Sequence, residues 1–78
     1  MEMPRDQPEW ADFINDAQSD GSGRGSCIAN IIRKRFGREA YRQYRSLSKL
    51  MMAQPEYVRT EIWEQFTTEW ARYRLEEV

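Results

Sequence analysis

Four bases, Arg38, Arg42, Arg45 and Lys49, follow one another at steps of four, three and four residues. On an α-helix that spacing keeps all four on one face. Arg33, Lys34 and Arg35 stand just upstream, with Tyr41 and Tyr44 beside the row. Guanidinium and ammonium groups in such a ridge pair with phosphate or carboxylate oxygens, and the chemistry is that of docking on an anionic surface. Arg33, Lys34, Arg38, Arg42, Arg45 and Lys49 are therefore the predicted partner-binding residues. A second row has the opposite sign. Glu9, Asp12 and Asp16, extended by Asp20, step along the side of a helix away from Trp10 and Phe13. Carboxylates spaced in this way can imitate DNA phosphates and occupy a basic groove, which makes them the alternative binding face.

Both rows also have a plainer reading. Residues 1–20 carry six acids against Arg5, a balance of −5, residues 21–49 eight bases against Glu39, or +7, and residues 50–78 six acids against three arginines, or −3. The acidic flanks can fold against the basic centre and neutralise it, and a charged helix face is often simply solvated.

Bond-breaking chemistry has little to work with. The chain has no His and a single Cys, which removes the usual general base and the nucleophilic dyads. Cys27 alone can close no internal disulfide and lacks the companions of a zinc site. It reads as a small buried residue in a helix. Glycines lead into a helix at Gly21-Ser22-Gly23-Arg24-Gly25-Ser26, the ground plan of a phosphate cradle. The preceding strand and the lysine of a P-loop are missing, so this stretch is expected to be a flexible hinge. Glu76-Glu77 sits at a chain end, a poor place for a desolvated acid pair. The prediction is a protein that is not an enzyme and takes no metal or cofactor.

The elements that must position these residues are helices. At 78 residues, with 13% aromatic and 32% charged side chains, the chain is expected to be one all-α domain whose small core is built from rings. A core this size contributes roughly 3–5 kcal/mol net, so a partner or a second copy can supply the remainder. Trp10, Phe13, Ile14 and Ala17 share one face of a helix over 8–17, with Pro8 in its first turn and Asp6 or Gln7 as its cap. A Gly-rich loop over 20–26 follows, with Ser26 capping a helix over 27–36 that carries Ile28, Ile31, Ile32 and Phe36. Gly37 is read as the positive-φ residue closing it. The third helix is expected over 38–52, with Leu50 at the margin of its apolar side, and stops before Pro55. The fourth spans 55–76, with Val58, Ile62, Trp63, Phe66, Trp70 and Tyr73 in a stripe broad enough for a central position. The expected fold is thus a small four-helix bundle with a core of Trp10, Phe13, Ile28, Ile32, Phe36, Leu47, Ile62, Phe66 and Trp70. No stretch is long and apolar enough for a membrane span, and no signal-peptide pattern opens the chain, so a cytoplasmic protein is expected.

The run Gln54-Pro55-Glu56-Tyr57-Val58-Arg59-Thr60, with Glu64 following, resembles the opening of the last helix in the theta subunit family of bacterial DNA polymerase III and its phage-encoded relatives. Arg35-Phe36 stands where that family closes an earlier helix with a basic residue and an aromatic one. The resemblance implies a three-helix accessory subunit that binds and steadies a proofreading exonuclease. The interval from Phe36 to Gln54 is longer than in that family, and the Gly-rich loop has no counterpart there. By type and not by motif, a short, aromatic-rich chain of split charge is also similar to phage- or plasmid-encoded inhibitors such as anti-CRISPR proteins, which implies a host nuclease or polymerase complex as protein partner. The expectation is a protein-binding inhibitor or accessory factor of a nucleic-acid-processing complex. Direct binding of DNA or RNA through the basic ridge, and pairing with a second copy as a homodimer, are the alternatives.

Overall fold

Apolar residues at Trp10, Phe13, Ile14 and Ala17 close one side of the first helix, α1 (Trp10–Ser19), and all four are buried in the computed structural model, which describes residues 7–76. The helix starts two residues later than the periodicity suggests. Glu9 takes the cap position without a side-chain cap bond, and Pro8 precedes the helix. Gln7 does not cap it either. Its side-chain amide donates to the Thr60 hydroxyl, and its carbonyl oxygen accepts from the Trp10 indole N–H at 3.3 Å. Asp6 lies outside the described residues.

Three further helices follow: α2 (Arg24–Tyr44), α3 (Leu47–Met52) and α4 (Glu56–Glu76). Among the described residues there is no strand, and the molecule is the expected all-α four-helix bundle. Its α2 begins three residues earlier than predicted, so Gly25 and Ser26 lie inside a helix and Ser26 caps nothing. Gly23, at φ +94°, takes the cap position. The turn before it is tied down by Asp20, whose carboxylate accepts from the Ser22 N–H at 2.9 Å, from the Ser22 hydroxyl at 2.7 Å and from the Arg24 guanidinium. Gly25 is buried because α1 crosses directly above it. A Cβ there would sit 2.9 Å from both the Ala17 carbonyl oxygen and the Gln18 Cα.

Gly37 breaks α2 where expected, at φ 84° and ψ 166°, a region essentially closed to other residues. A second break was not foreseen. The helix predicted over 38–52 stops at Tyr44, Arg45 turns left-handed at φ 59°, and Ser46 is extended and accepts from the Lys49 N–H to start α3. A Ser cap contributes about 1 kcal/mol, comparable with the cost of one non-glycine residue in the left-handed region. The redirected α3 buries Leu47, Leu50 and Met51, the last two almost completely. Core burial therefore decides against one continuous helix.

The gap from α3 to α4 is closed locally. Gln54 donates through its side chain to the Leu50 carbonyl at 3.1 Å, and Arg59 reaches back to donate to the Gln54 carbonyl. The core contains every predicted member except Phe36, which stays half-buried at the margin where Gly37 ends the first arm of α2. Trp63, Met51 and Leu50 join it. The closest backbone approaches centre on α2, which packs against all three other helices. From α4 come rings: Trp63 meets Trp10 edge-on at 5.7 Å and Phe13 at 5.1 Å, and Phe66 meets Phe13 at 5.4 Å.

Candidate anion-docking cleft at the Gly37 kink

The predicted ridge needed one straight helix, and the breaks at Gly37 and Arg45 rearrange it. Arg38 and Arg42 ride on the second arm of α2, Arg45 occupies the left-handed junction, and Lys49 belongs to α3. The four do not share one helix face. In exchange, the kink brings the second arm back towards the first. Arg33, before the break, meets Arg38, Tyr41 and Arg42, after it, around a cleft of about 390 Å³. The Arg33 guanidinium carbon lies over the Tyr41 ring at 5.0 Å from its centroid. Such a contact is worth about 0.5–1 kcal/mol at an exposed site, a modest bias of Arg33 towards the cleft. Lys34 points elsewhere, and Arg45 and Lys49 are exposed outside the cleft.

Among the described residues, ion pairing neutralises little of the central charge. Three ion pairs occur among the described residues: Arg24 with Asp20, Arg35 with Glu61 at 2.9 Å, and Arg42 with Glu39 at 3.3 Å. The first two join the basic centre to the acidic flanks, and the third lies within the centre itself. Arg33, Lys34, Arg38, Arg45 and Lys49 form no ion pair among the described residues. On α1, Glu9, Asp12 and Asp16 are likewise exposed and form none. The acidic row is a real surface, as the spacing suggested.

Cys27 is half-buried beside the core. Burial pushes its thiol up from the ordinary value, and the nearby Glu69 carboxylate pushes it further. It remains a protonated thiol at neutral pH. Asp20 goes the other way, to about 2, chiefly through its hydrogen bonds from Ser22 and then from Arg24. Among the described residues no cluster of His, Cys, Asp or Glu has the arrangement of a metal site, and no helix is long and apolar enough to cross a membrane.

The role of Tyr41 is sharper than the sequence suggests, since only the kink shows it stacked on Arg33. The fold and the cleft together define a small helical bundle bearing a cluster of arginines on an aromatic support. No protein-family model, curated protein or solved structure gives a significant match to this chain.

Proposed function

We propose that this chain is a non-enzymatic binding protein that docks through the Gly37 cleft onto an acidic protein surface. In that role it serves as an inhibitor or accessory factor of a nucleic-acid-processing complex. The observation that carries the reading is the convergence of Arg33, Arg38 and Arg42 around Tyr41. Folding brings three like charges together, and among the described residues Arg42 alone of the three forms an ion pair, with Glu39 on its own helix arm. Like charges in proximity oppose folding, so such a cluster gains its value from an external anion.

The composition of the cleft favours protein over nucleic acid. Arg and Tyr are the residues enriched at protein interfaces, where Lys is depleted, and no Lys lines the cleft. The net charge of −1 gives no long-range attraction for a polyphosphate. Three arginines would neutralise only a few phosphates.

The test is affinity capture of partners with the intact chain and with Arg38→Glu/Arg42→Glu, before and after nuclease treatment. The reading expects a stoichiometric protein partner that survives nuclease and is lost in the double variant, whose circular dichroism stays that of the intact chain. Recovery of nucleic acid alone, lost on nuclease treatment, overturns it in favour of direct DNA or RNA binding. A protein partner retained by the double variant but lost on Asp12→Lys/Asp16→Lys transfers the contact to the acidic face of α1.

A further inference from the structure

Arg33, Lys34 and Arg35 are consecutive, and the helix turns them to three surroundings. Arg33 faces the kink cleft, Arg35 pairs with Glu61, and Lys34 lines a second cleft between the first arm of α2 and the last turns of α4. This cleft has a volume of about 490 Å³, inside the range of roughly 300–1,000 Å³ usual for small-molecule sites.

One wall is the end of a ring column. Phe66 and Trp70 lie 12° from parallel at 6.3 Å, and Trp70 and Tyr73 lie 18° from parallel at 5.4 Å. The column runs outward from the core: Phe66 is 0% exposed, Trp70 8% and Tyr73 45%. Its outer rings line the cleft, with Gly23 against them because a Cβ there would already touch both at 3.9 Å. Ser26 and Asn30 on α2 and Glu69 on α4 add hydrogen-bonding groups. The Gln65 amide donates to Glu69 Oε1 at 3.2 Å, which leaves the second carboxylate oxygen for a ligand.

The cleft also carries two cations. Gly23 lies against Trp70 and Tyr73 at one end and Arg35 pairs with Glu61 at the other, so the first arm of α2 and α4 run antiparallel. Lys34 on α2 and Arg72 on α4 both line the cleft, and neither is in an ion pair among the described residues. The neighbouring Cys27 thiol adds no negative charge at neutral pH.

From this arrangement we infer that the second cleft binds a nucleoside monophosphate. The base lies against the Trp70–Tyr73 rings, its exocyclic amino group donates to Glu69, and the phosphate is held by Lys34 and Arg72. Stacking on aromatic side chains beside cations is the general mode of holding an unpaired nucleotide. Glu69 adds selectivity, because a carboxylate accepts from the amino groups of adenine, cytosine or guanine and finds no such amino group on uracil. The same chemistry serves a free mononucleotide or the end of a single strand.

The experiment is a titration of the isotope-labelled full chain, followed by amide and indole NMR shifts, with AMP, UMP and a 5′-phosphorylated oligoadenylate. Saturable shifts at Ser26, Asn30 and the Trp70 indole are expected with AMP, weaker with UMP. In Lys34→Glu/Arg72→Glu the AMP affinity should fall by at least about tenfold, the scale of lost charge-assisted bonds, while the helical signal is kept. Glu69→Ala should narrow the preference for AMP over UMP to what stacking alone gives. Tighter binding of the oligonucleotide at the same peaks assigns the strand as source, and tighter binding of AMP the free nucleotide. Absence of saturable shifts at millimolar AMP, or shifts confined to residues 38–42, overturns the site. Neither result bears on the protein-docking reading, which uses the other cleft.

Discussion

The seam between α1 and α4 and the stretch from Gly37 to Ser46 are built on opposite terms. In the seam, Trp10, Phe13, Trp63 and Phe66 are packed ring against ring, and none is more than 9% exposed. Each such pair adds about 0.5–1.5 kcal/mol beyond area burial. The kinked stretch carries two left-handed backbone positions and three bases, with Tyr41 and Tyr44 half-buried against the core. The contrast teaches that stability and docking are separated in this molecule. One region is closed apolar packing, and the other holds like charges together at the surface.

Substitutions that strike one region and spare the other put this separation at risk. The largest effect is expected from Phe66→Ala, whose side chain is fully enclosed. Its cost of about 3–5 kcal/mol matches the whole net stability of a domain this small, so chemical denaturation should find the variant largely unfolded. Gly25→Val comes next. The added atoms meet the backbone of Ala17 and Gln18, and overpacking of about 1–3 kcal/mol should appear as a lowered urea midpoint. A wild-type midpoint would mean that α1 can move off α2 freely.

Gly37→Ala tests the kinked stretch. Nothing lies within 4 Å of a Cβ placed there, so the penalty is backbone strain alone, about 1–3 kcal/mol. Partner capture should weaken more than stability does, because relief of the strain straightens α2 and separates Arg33 from Arg38 and Arg42. Arg38→Glu/Arg42→Glu should change stability by no more than about 0.5 kcal/mol per site while removing the protein partner. A large loss of stability in this variant would erase the contrast.

The smallest effect concerns pH. The carboxyl of Asp20 titrates at about 2 against an ordinary value of 3.8. Its folded value is depressed, so its contribution is present above the ordinary value and is lost as pH falls through about 2. Carbon-detected NMR of the Asp20 carboxyl should give that low midpoint, and Ser22→Ala should raise it.

How much of this could be read in advance differs from element to element. The apolar face of α1 and the break at Gly37 were legible because periodicity and a glycine mark them directly. The break at Arg45 was not, since Tyr44, Leu47 and Met51 continue a helical period. Ser46 was the one local signal, and its capping role emerges only once Leu50 is seen in the core. Ser26 misled for the converse reason: the close crossing at Gly25 lets α2 start earlier, on Gly23. The site residues fared likewise. Arg33, Arg38 and Arg42 share one cleft through the kink in the helix and not through their regular spacing. Lys34, grouped with them by sequence, lines the second cleft, which Arg72 also lines from the far end of the chain.

The left-handed turn at Arg45 also decides how the molecule can be taken apart. Among the connections between helices it offers an exposed basic residue in non-helical backbone, but Leu47 two residues on is buried, so a trypsin-like protease gains access only when α3 detaches from the core. A cut there yields segments 1–45 and 46–78. The first carries Trp10 and Phe13, the second Trp63 and Phe66, so each piece holds half of an interlocking ring surface. Helical circular dichroism regained on mixing the two pieces, prepared separately, would show that these ring contacts alone recognise each other.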